Sequence, residues 1–228
     1  PTRIHSAAAA TALERLRAWD GKMDRNRAEP LMFATWLQTL QRLVIEDDLG
    51  PVARNFISAR PLFLDMAMSG QGGWCNDQRT PEPETCPGMA AKALEEAVTT
   101  LGQRYGADMA QWRWGDAHAA QFSHPVLSRV PVLGWLSTLS IPTDGGDFTV
   151  NRGTFTPGDE FTHSHGAGLR AVYDLASLDD SRLVIATGQS GNPLSRHYGD
   201  QLRAWRDGNT FPIGPTAPAS AVLILEPR

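Results

Sequence analysis

Trp112-Arg113-Trp114-Gly115-Asp116 separates two textures of sequence, and the contrast between them decides the fold class. Upstream, helical signals dominate. Ser6 is a good N-cap for an alanine-rich run to Trp19, with Gly21 placed as a helix-terminating glycine. Pro30 opens a second helix whose apolar residues, Phe33, Trp36, Leu37, Leu40, Leu43 and Val44, recur at three- and four-residue steps. Gly50-Pro51 stop it, after Asp47-Asp48 that oppose the helix dipole. A third helix is predicted over 61–68. A fourth follows Pro87, with Met89, Leu94, Val98 and Leu101 on one face. Downstream, Pro125, Pro131, Pro142 and the Asp144-Gly145-Gly146-Asp147 turn break up the chain, and strands follow over 148–156, 169–175 and 181–187. A helix is predicted over 197–205. The continuous apolar run 221–225 reads as a strand covered on both faces. Helices first and strands second point to an α+β chain. Residues 1–115 are mainly helical, 116–147 an irregular crossing, and 148–228 strand-rich.

With 228 residues the chain is long enough to bury a core, and its 41% hydrophobic and 20% charged content is that of an ordinary globular protein. A net charge of -4 without a basic stripe argues against nucleic acid as a partner. No apolar run approaches the length of a membrane span; the longest, 130–139, is broken by Pro131, Gly134 and Ser137. Lysine occurs only at 22 and 92, a bias that a GC-rich genome explains better than any binding chemistry. The chain opens at Pro1 with no signal-peptide pattern, which is expected of a trimmed end or of a cut within a longer polypeptide.

Cys75 and Cys86 are the only cysteines, and the residues between them are polar and carry Pro81 and Pro83. Such a segment buries little and reads as a surface loop. Two cysteines closing it are expected to form a disulfide, which chain entropy values at about 2–3 kcal/mol for so short a loop. Disulfides persist in oxidising compartments, so the protein is expected to be periplasmic or secreted.

The candidate chemical groups are weak one by one. Gly188-Gln189-Ser190-Gly191 starts like a nucleophile elbow, but Asn192 stands where the motif needs glycine and Pro193 delays any helix. A tight turn is the better reading of Ser190. His163 and His165 could both face a metal from one strand, yet nothing nearby supplies the remaining ligands, and a polar loop is preferred. Gly166-Ala167-Gly168 leads into a strand rather than a helix and is no phosphate cradle. His118 and His124 lack a serine or cysteine partner placed by sequence; a buried histidine bonded to backbone is the simpler expectation.

Several motifs taken together carry more. The run Gly166-Ala167-Gly168-Leu169-Arg170-Ala171-Val172-Tyr173-Asp174-Leu175 is followed by Gly188-Gln189-Ser190-Gly191-Asn192-Pro193. Ser195-Arg196-His197-Tyr198-Gly199-Asp200-Gln201 and Trp205-Arg206-Asp207-Gly208 come next. These resemble the C-terminal signature of the penicillin acylase family: G-x-S-x-R-x-V-x-D-L, G-Q-S-G-x-P, S-x-H-Y-x-D-Q and W-x-x-G, in this order. Upstream, Trp112 to His118 resembles W-x-W-G-x-x-H, Gly145 to Asn151 resembles G-G-D-x-T-V-N, and Leu16 to Met23 resembles L-x-x-W-x-G-x-M. Gly168 replaces the usual serine and Arg196 a proline or small residue; neither change touches chemistry.

The resemblance implies part of an N-terminal nucleophile hydrolase with an αββα sandwich, this chain being the C-terminal portion of the large (beta) subunit. In such enzymes the precursor cuts itself to expose a serine, whose own α-amine, titrating near 7.7–8, serves as base. The nucleophile serine, the oxyanion asparagine and a supporting arginine are expected upstream, so no catalytic residue is assigned in this chain. The small (alpha) subunit and the N-terminal part of the beta subunit are the implied partners. No cofactor is implied for catalysis. A structural calcium is compatible with the assembled enzyme, with its ligands upstream. Arg170, Asp174, Gln189, Ser190, His197, Tyr198, Asp200 and Gln201 are expected to be structural, with Arg170, Asp174, His197 and Asp200 bracing the sheet. The substrate would be an N-acyl homoserine lactone or an acylated β-lactam, and the motif wording is closer to the lactone acylases. Two other readings stay open: a non-catalytic structural or binding module, and a metal-dependent hydrolase using His163 and His165.

Overall fold

A computed structural model describes residues 4–56, 58, 60–155 and 161–214. Along the chain the elements are α1 (Ala7–Ala18), α2 (Glu29–Leu49), α3 (Pro61–Met68), α4 (Cys86–Tyr105), α5 (Trp114–Ala117), β1 (Ala119–Phe122), α6 (Pro131–Ser137) and β2 (Leu139–Pro142). Then follow β3 (Gly153–Phe155), β4 (His163–Gly166), β5 (Leu169–Val172), β6 (Arg182–Ile185), α7 (Leu202–Asp207) and β7 (Phe211–Pro212). The described strands form one four-stranded and one three-stranded sheet, so the chain is α+β. Two compact units emerge: residues 1–120 with 142–165, and 121–141 with 166–228.

In the first unit, the Ser6 side chain accepts from the Ala9 amide and starts α1. Gly21 is left-handed (φ 77°) but does not cap that helix, which ends at Trp19 in an extended conformation. Pro30 sits in the first turn of α2, and a left-handed Gly50 ends it. The carboxylates at the end of α2 oppose the dipole, yet they have partners: Gln78 donates from its amide to Asp47 (2.8 Å) and from its side chain to Asp48 (2.6 Å). Leu31, Met32, Leu94, Val98, Leu101, Trp112 and Trp114 form one buried cluster with Ala9 and Ala12 of α1. Leu40, Leu43, Val44, Leu64, Met89 and Ala93 form a second. Met89, Leu94, Val98 and Leu101 of α4 are all buried, whereas Phe33, Trp36 and Leu37 are only half-buried. Strand β4 pairs with β1 in parallel, with Ala120 opposite His163.

In the second unit β5, β6 and β7 form an antiparallel sheet, with Arg170 opposite Val184 and Leu183 opposite Phe211. Val184, Leu202 and Trp205 are buried.

The structure departs from the sequence reading in several further places. The crossing 116–147 carries a helix, α6, and two strands despite its prolines, because Pro131 occupies a first-turn position where its missing N–H costs nothing. Of the expected strand 148–156, the described part (148–155) is strand only at Gly153–Phe155; Thr149 Oγ1 instead closes a turn with the Gly146 amide and donates to backbone oxygens there. The segment 163–165, read as a loop, is strand β4. The helix expected over 197–205 begins at Leu202, since Ser195 Oγ and the His197 carbonyl are engaged in turns. The run 221–225 lies outside the described residues.

Candidate functional site

Three motifs far apart in sequence converge in the first unit. The Arg25 guanidinium and amide donate to the two carboxylate oxygens of Asp144, at 2.6 and 2.7 Å. Gly145 donates to the Met23 carbonyl, Gly115 to the Arg25 carbonyl and Trp114 to the Arg27 carbonyl, each at 2.8 Å. The Trp114 indole N–H donates to the Gly145 carbonyl at 2.8 Å. Residues 23–27, 114–115 and 144–145 are thereby laced through backbone groups, which explains the glycines. A Cβ at Gly115 would stand 2.8 Å from Pro142 Cβ. One at Gly145 would stand 1.9 Å from the Asn151 carbonyl oxygen.

Beneath this junction lies an aromatic stack. His118 is fully buried, with its ring 4.5 Å from Trp114 on one side and 5.1 Å from His163 on the other, both nearly parallel. His118 Nδ1 lies 2.7 Å from the Phe161 carbonyl. A carbonyl can only accept, so Nδ1 carries the proton and Nε2 offers a lone pair. Among the described residues no donor reaches Nε2, which is buried against Gly153, where a Cβ would stand only 2.5 Å away. Burial, reinforced by the neighbouring His163, pushes the His118 pKa down to about 4, so the ring is neutral at physiological pH. His163 is also buried and shares a 2.9 Å hydrogen bond with Thr143. Such a stack packs and is closed to solvent.

A cavity of about 250 Å³ opens beside the junction, lined by Trp19, Met23, Phe33, Leu37, Phe148 and Phe155. Its wall is mostly apolar, with Gln38, Asp147 and Thr149 also in the lining. Sequence reading missed it, because its lining comes from four segments that show no common pattern.

The second unit gathers the remaining motif residues into separate anchors. Arg170 donates to the Trp205 carbonyl and lies over the Trp205 ring at 4.9 Å, while the Trp205 indole donates to the Ala167 carbonyl at 2.7 Å. Burial lowers the Arg170 pKa without threatening its charge. His197 Nδ1 lies 2.8 Å from Asp200 Oδ2, and Arg196 Nε approaches His197 Nε2 at 3.0 Å. Gln201 receives the Ile185 amide (3.1 Å) on its side chain and donates its own amide to the Thr187 carbonyl (2.9 Å). Tyr198 donates to the Ser137 carbonyl. Ser190 Oγ accepts from the Asn192 amide at 3.1 Å, and Gln189 is exposed. Asp174 caps the Ala176 and Ser177 amides at 2.9 and 3.2 Å. Among these residues Arg170 anchors on Trp205, Asp174 closes a turn and His197 pairs with Asp200. His124 bonds the Gly191 carbonyl at 3.0 Å.

Cys75 and Cys86 form a disulfide, with Cα atoms 4.9 Å apart. Within its loop the Arg79 guanidinium holds the Asp77 carboxyl down to about 2. His165 is exposed while His163 is buried, and among the described residues no group of three or more His, Cys, Asp or Glu is placed to hold a metal. Among the described residues no helix is long and apolar enough to cross a membrane.

Helices capped and laced by backbone hydrogen bonds, and a small anchored sheet, define an α+β fold. That fold is shared with a thermostable penicillin G acylase from Alcaligenes faecalis: a TM-score of 0.54 over 98% of this chain and 44% of that one, at 18% identity. The sequence profile of the penicillin amidase family matches residues 2–220, and the chain belongs to that family. Among its relatives, the acyl-homoserine lactone acylases QuiP of Pseudomonas putida and Pseudomonas syringae are 32% and 29% identical over 86% of the chain. The penicillin acylase 2 proenzyme of a Pseudomonas species is 29% identical over 87%. The chain spans about a quarter of the length of these relatives (25%, 25% and 26%).

Proposed function

We propose that this chain is the C-terminal scaffold portion of the large subunit of an acylase. The complete enzyme would remove the acyl chain from N-acyl homoserine lactones, with acylated β-lactams as the second substrate class. The observation that carries the reading is the family match along nearly the whole chain, with relatives named for both substrates. The nucleophile is a serine at the start of a chain upstream, released by self-cleavage of a precursor. Its α-amine, titrating near 7.7–8, is largely competent as a base at neutral pH. Upstream backbone N–H groups and an asparagine stabilise the oxyanion. Catalysis uses no cofactor, and any structural calcium is held outside this chain. The disulfide supports an exported, periplasmic or secreted protein.

The side chains described here fit a supporting role. Their polar groups are spent on backbone anchors, as with Arg170, Gln201 and Tyr198. A metal hydrolase centred on His163 and His165 gains no support from their placement, one buried on Thr143 and the other exposed.

Expression of the full precursor tests the proposal. Intact mass should reveal a chain beginning with serine, and the purified enzyme should hydrolyse long-chain acyl homoserine lactone faster than benzylpenicillin. Loss of activity on chelation with rescue by zinc would overturn it in favour of the metal reading.

A further inference from the structure

Helix α6 wears its amphipathic pattern inside out. Its small residues Gly134 and Ser137 are buried, while Val132, Trp135 and Leu136 are 68%, 78% and 64% exposed. The arrangement is locked. A Cβ at Gly134 would stand 3.0 Å from Ser128 Cα and 3.1 Å from its carbonyl oxygen, and Ser137 Oγ donates to the Leu133 carbonyl at 2.7 Å. Rolling the helix to bury Trp135 would drive a larger side chain than Gly134 into the Ser128 backbone and carry the Ser137 carbonyl away from the Tyr198 hydroxyl. Val126 (68% exposed) and Val130 (49%) lengthen the patch. A surface helix ordinarily turns its apolar stripe inward, and a contiguous exposed apolar patch marks an interaction site. Between Phe122 and Thr143 there is no acidic residue, and Arg129 is the one arginine or lysine. The covering surface is therefore apolar and needs little charge.

Three occupants compete. A membrane would be attracted weakly: each Lys or Arg near an anionic surface contributes about 1 kcal/mol, and here one arginine belongs to a chain of net charge -4. Interfacial helices also need a cationic face opposite the apolar one, and in α6 that face is buried Gly134 and Ser137. A second copy would have to be held by four or five such side chains. They hide on the order of 500 Å², short of the roughly 800 Å² per partner in a standard interface. The third occupant is polypeptide that the matching proteins possess and this chain does not include. The chain covers 44% of the penicillin G acylase chain and a quarter of the lactone acylases, so such polypeptide is plentiful in its relatives.

We infer that α6 is a docking seat for upstream polypeptide of the same acylase precursor, held chiefly by Trp135, Leu136 and Val132. The inference rests on the reading that the chain is one part of a larger acylase.

Replacing Trp135 by p-benzoylphenylalanine in the full precursor, followed by irradiation and peptide mapping, tests it. The expected link runs from position 135 to a peptide upstream of this chain. In parallel, Trp135→Asp should cut recovery of the co-purifying upstream chain about ten-fold, as expected when a tryptophan anchor is removed. A link to a second copy, a link within residues 1–228, capture by phosphatidylglycerol vesicles, or no link at all overturns the docking seat. The same preparation is assayed for its serine-starting chain and for lactone hydrolysis. An active enzyme without the upstream link sinks the seat and leaves the acylase reading standing. Absence of both the serine-starting chain and hydrolysis sinks the reading, and the seat with it.

Discussion

Protonating His118 would place a second N–H at Nε2, where no acceptor waits among the described residues, with the His163 ring stacked 5.1 Å from its own. The folded state therefore favours the neutral ring, with a pKa of about 4 against an ordinary 6.5. Between those values the unfolded chain binds more protons than the folded one. The stabilising contribution is thus complete above about pH 6.5 and is lost as pH falls through about 4. The shift corresponds to roughly 3 kcal/mol, an upper figure for a buried ring. Urea midpoints of the assembled protein should fall between pH 7 and pH 4.5, and His118→Gln should flatten that slope while lowering stability at pH 7. Equal slopes in both proteins would refute the assignment. Gly188 offers a second test at the same scale. A Cβ there would stand 2.2 Å from the His197 carbonyl oxygen and 2.7 Å from Asp200 Oδ1, whereas Gly191 has nothing within 4 Å. Gly188→Ala should cost about 1–3 kcal/mol by overpacking, and Gly191→Ala close to nothing. Equal melting temperatures for the two variants would contradict this geometry.

At the scale of elements, the disulfide ties the start of α4 to the residues that follow α3, across a separation of 11. Replacing both cysteines by serine should lower stability by about 2–3 kcal/mol, read from the denaturant midpoint. An unchanged midpoint would mean that Gln78 on Asp47 and Asp48 already holds the loop. Asp200 belongs here too, since it fastens His197 ahead of α7. Asp200→Ala should remove about 1 kcal/mol and some 2–4 °C of melting temperature in a domain of this size. It should leave the rate of the assembled enzyme nearly unchanged; a rate loss at constant melting temperature would assign Asp200 to the chemistry instead. The helices were legible because a 3.6-residue period survives in any context: the buried face of α4 can be read from Met89, Leu94, Val98 and Leu101 alone. The strands were legible only in part: β5 and β6 fall within the expected 169–175 and 181–187 but are shorter, while β4 and β7 were not expected, because β3 to β7 are two to four residues long and their edges are set by side chains such as Thr149 and Asp174 that bind nearby backbone. The convergence of residues 23–27, 114–115 and 144–145 was visible only as three glycine-bearing motifs in order. No local period could have said that they touch.

For the whole molecule the question is whether hydrolytic chemistry can arise from these residues alone. A serine nucleophile needs a base with a free lone pair at its hydroxyl. Ser190 Oγ instead accepts the Asn192 amide and shapes a turn. His118 has a free lone pair but is sealed behind Gly153 and Trp114. His197 is occupied at both nitrogens, by Asp200 and by Arg196. His124 is turned towards the Gly191 carbonyl. Each of these four groups is thus held by a contact that serves the fold. Refolded 1–228 should therefore show no cleavage of acyl homoserine lactone or benzylpenicillin above the uncatalysed rate. In the full enzyme Ser190→Ala should change kcat/KM by less than about 2-fold, because removing that hydroxyl costs one exposed turn contact. On the proposed reading, alanine in place of the serine that begins an upstream chain should abolish hydrolysis, since nucleophile and base would belong to the same residue. Turnover by the refolded chain on its own, abolished by Ser190→Ala, would reverse the argument and place the reaction centre in the Gly188–Asn192 turn.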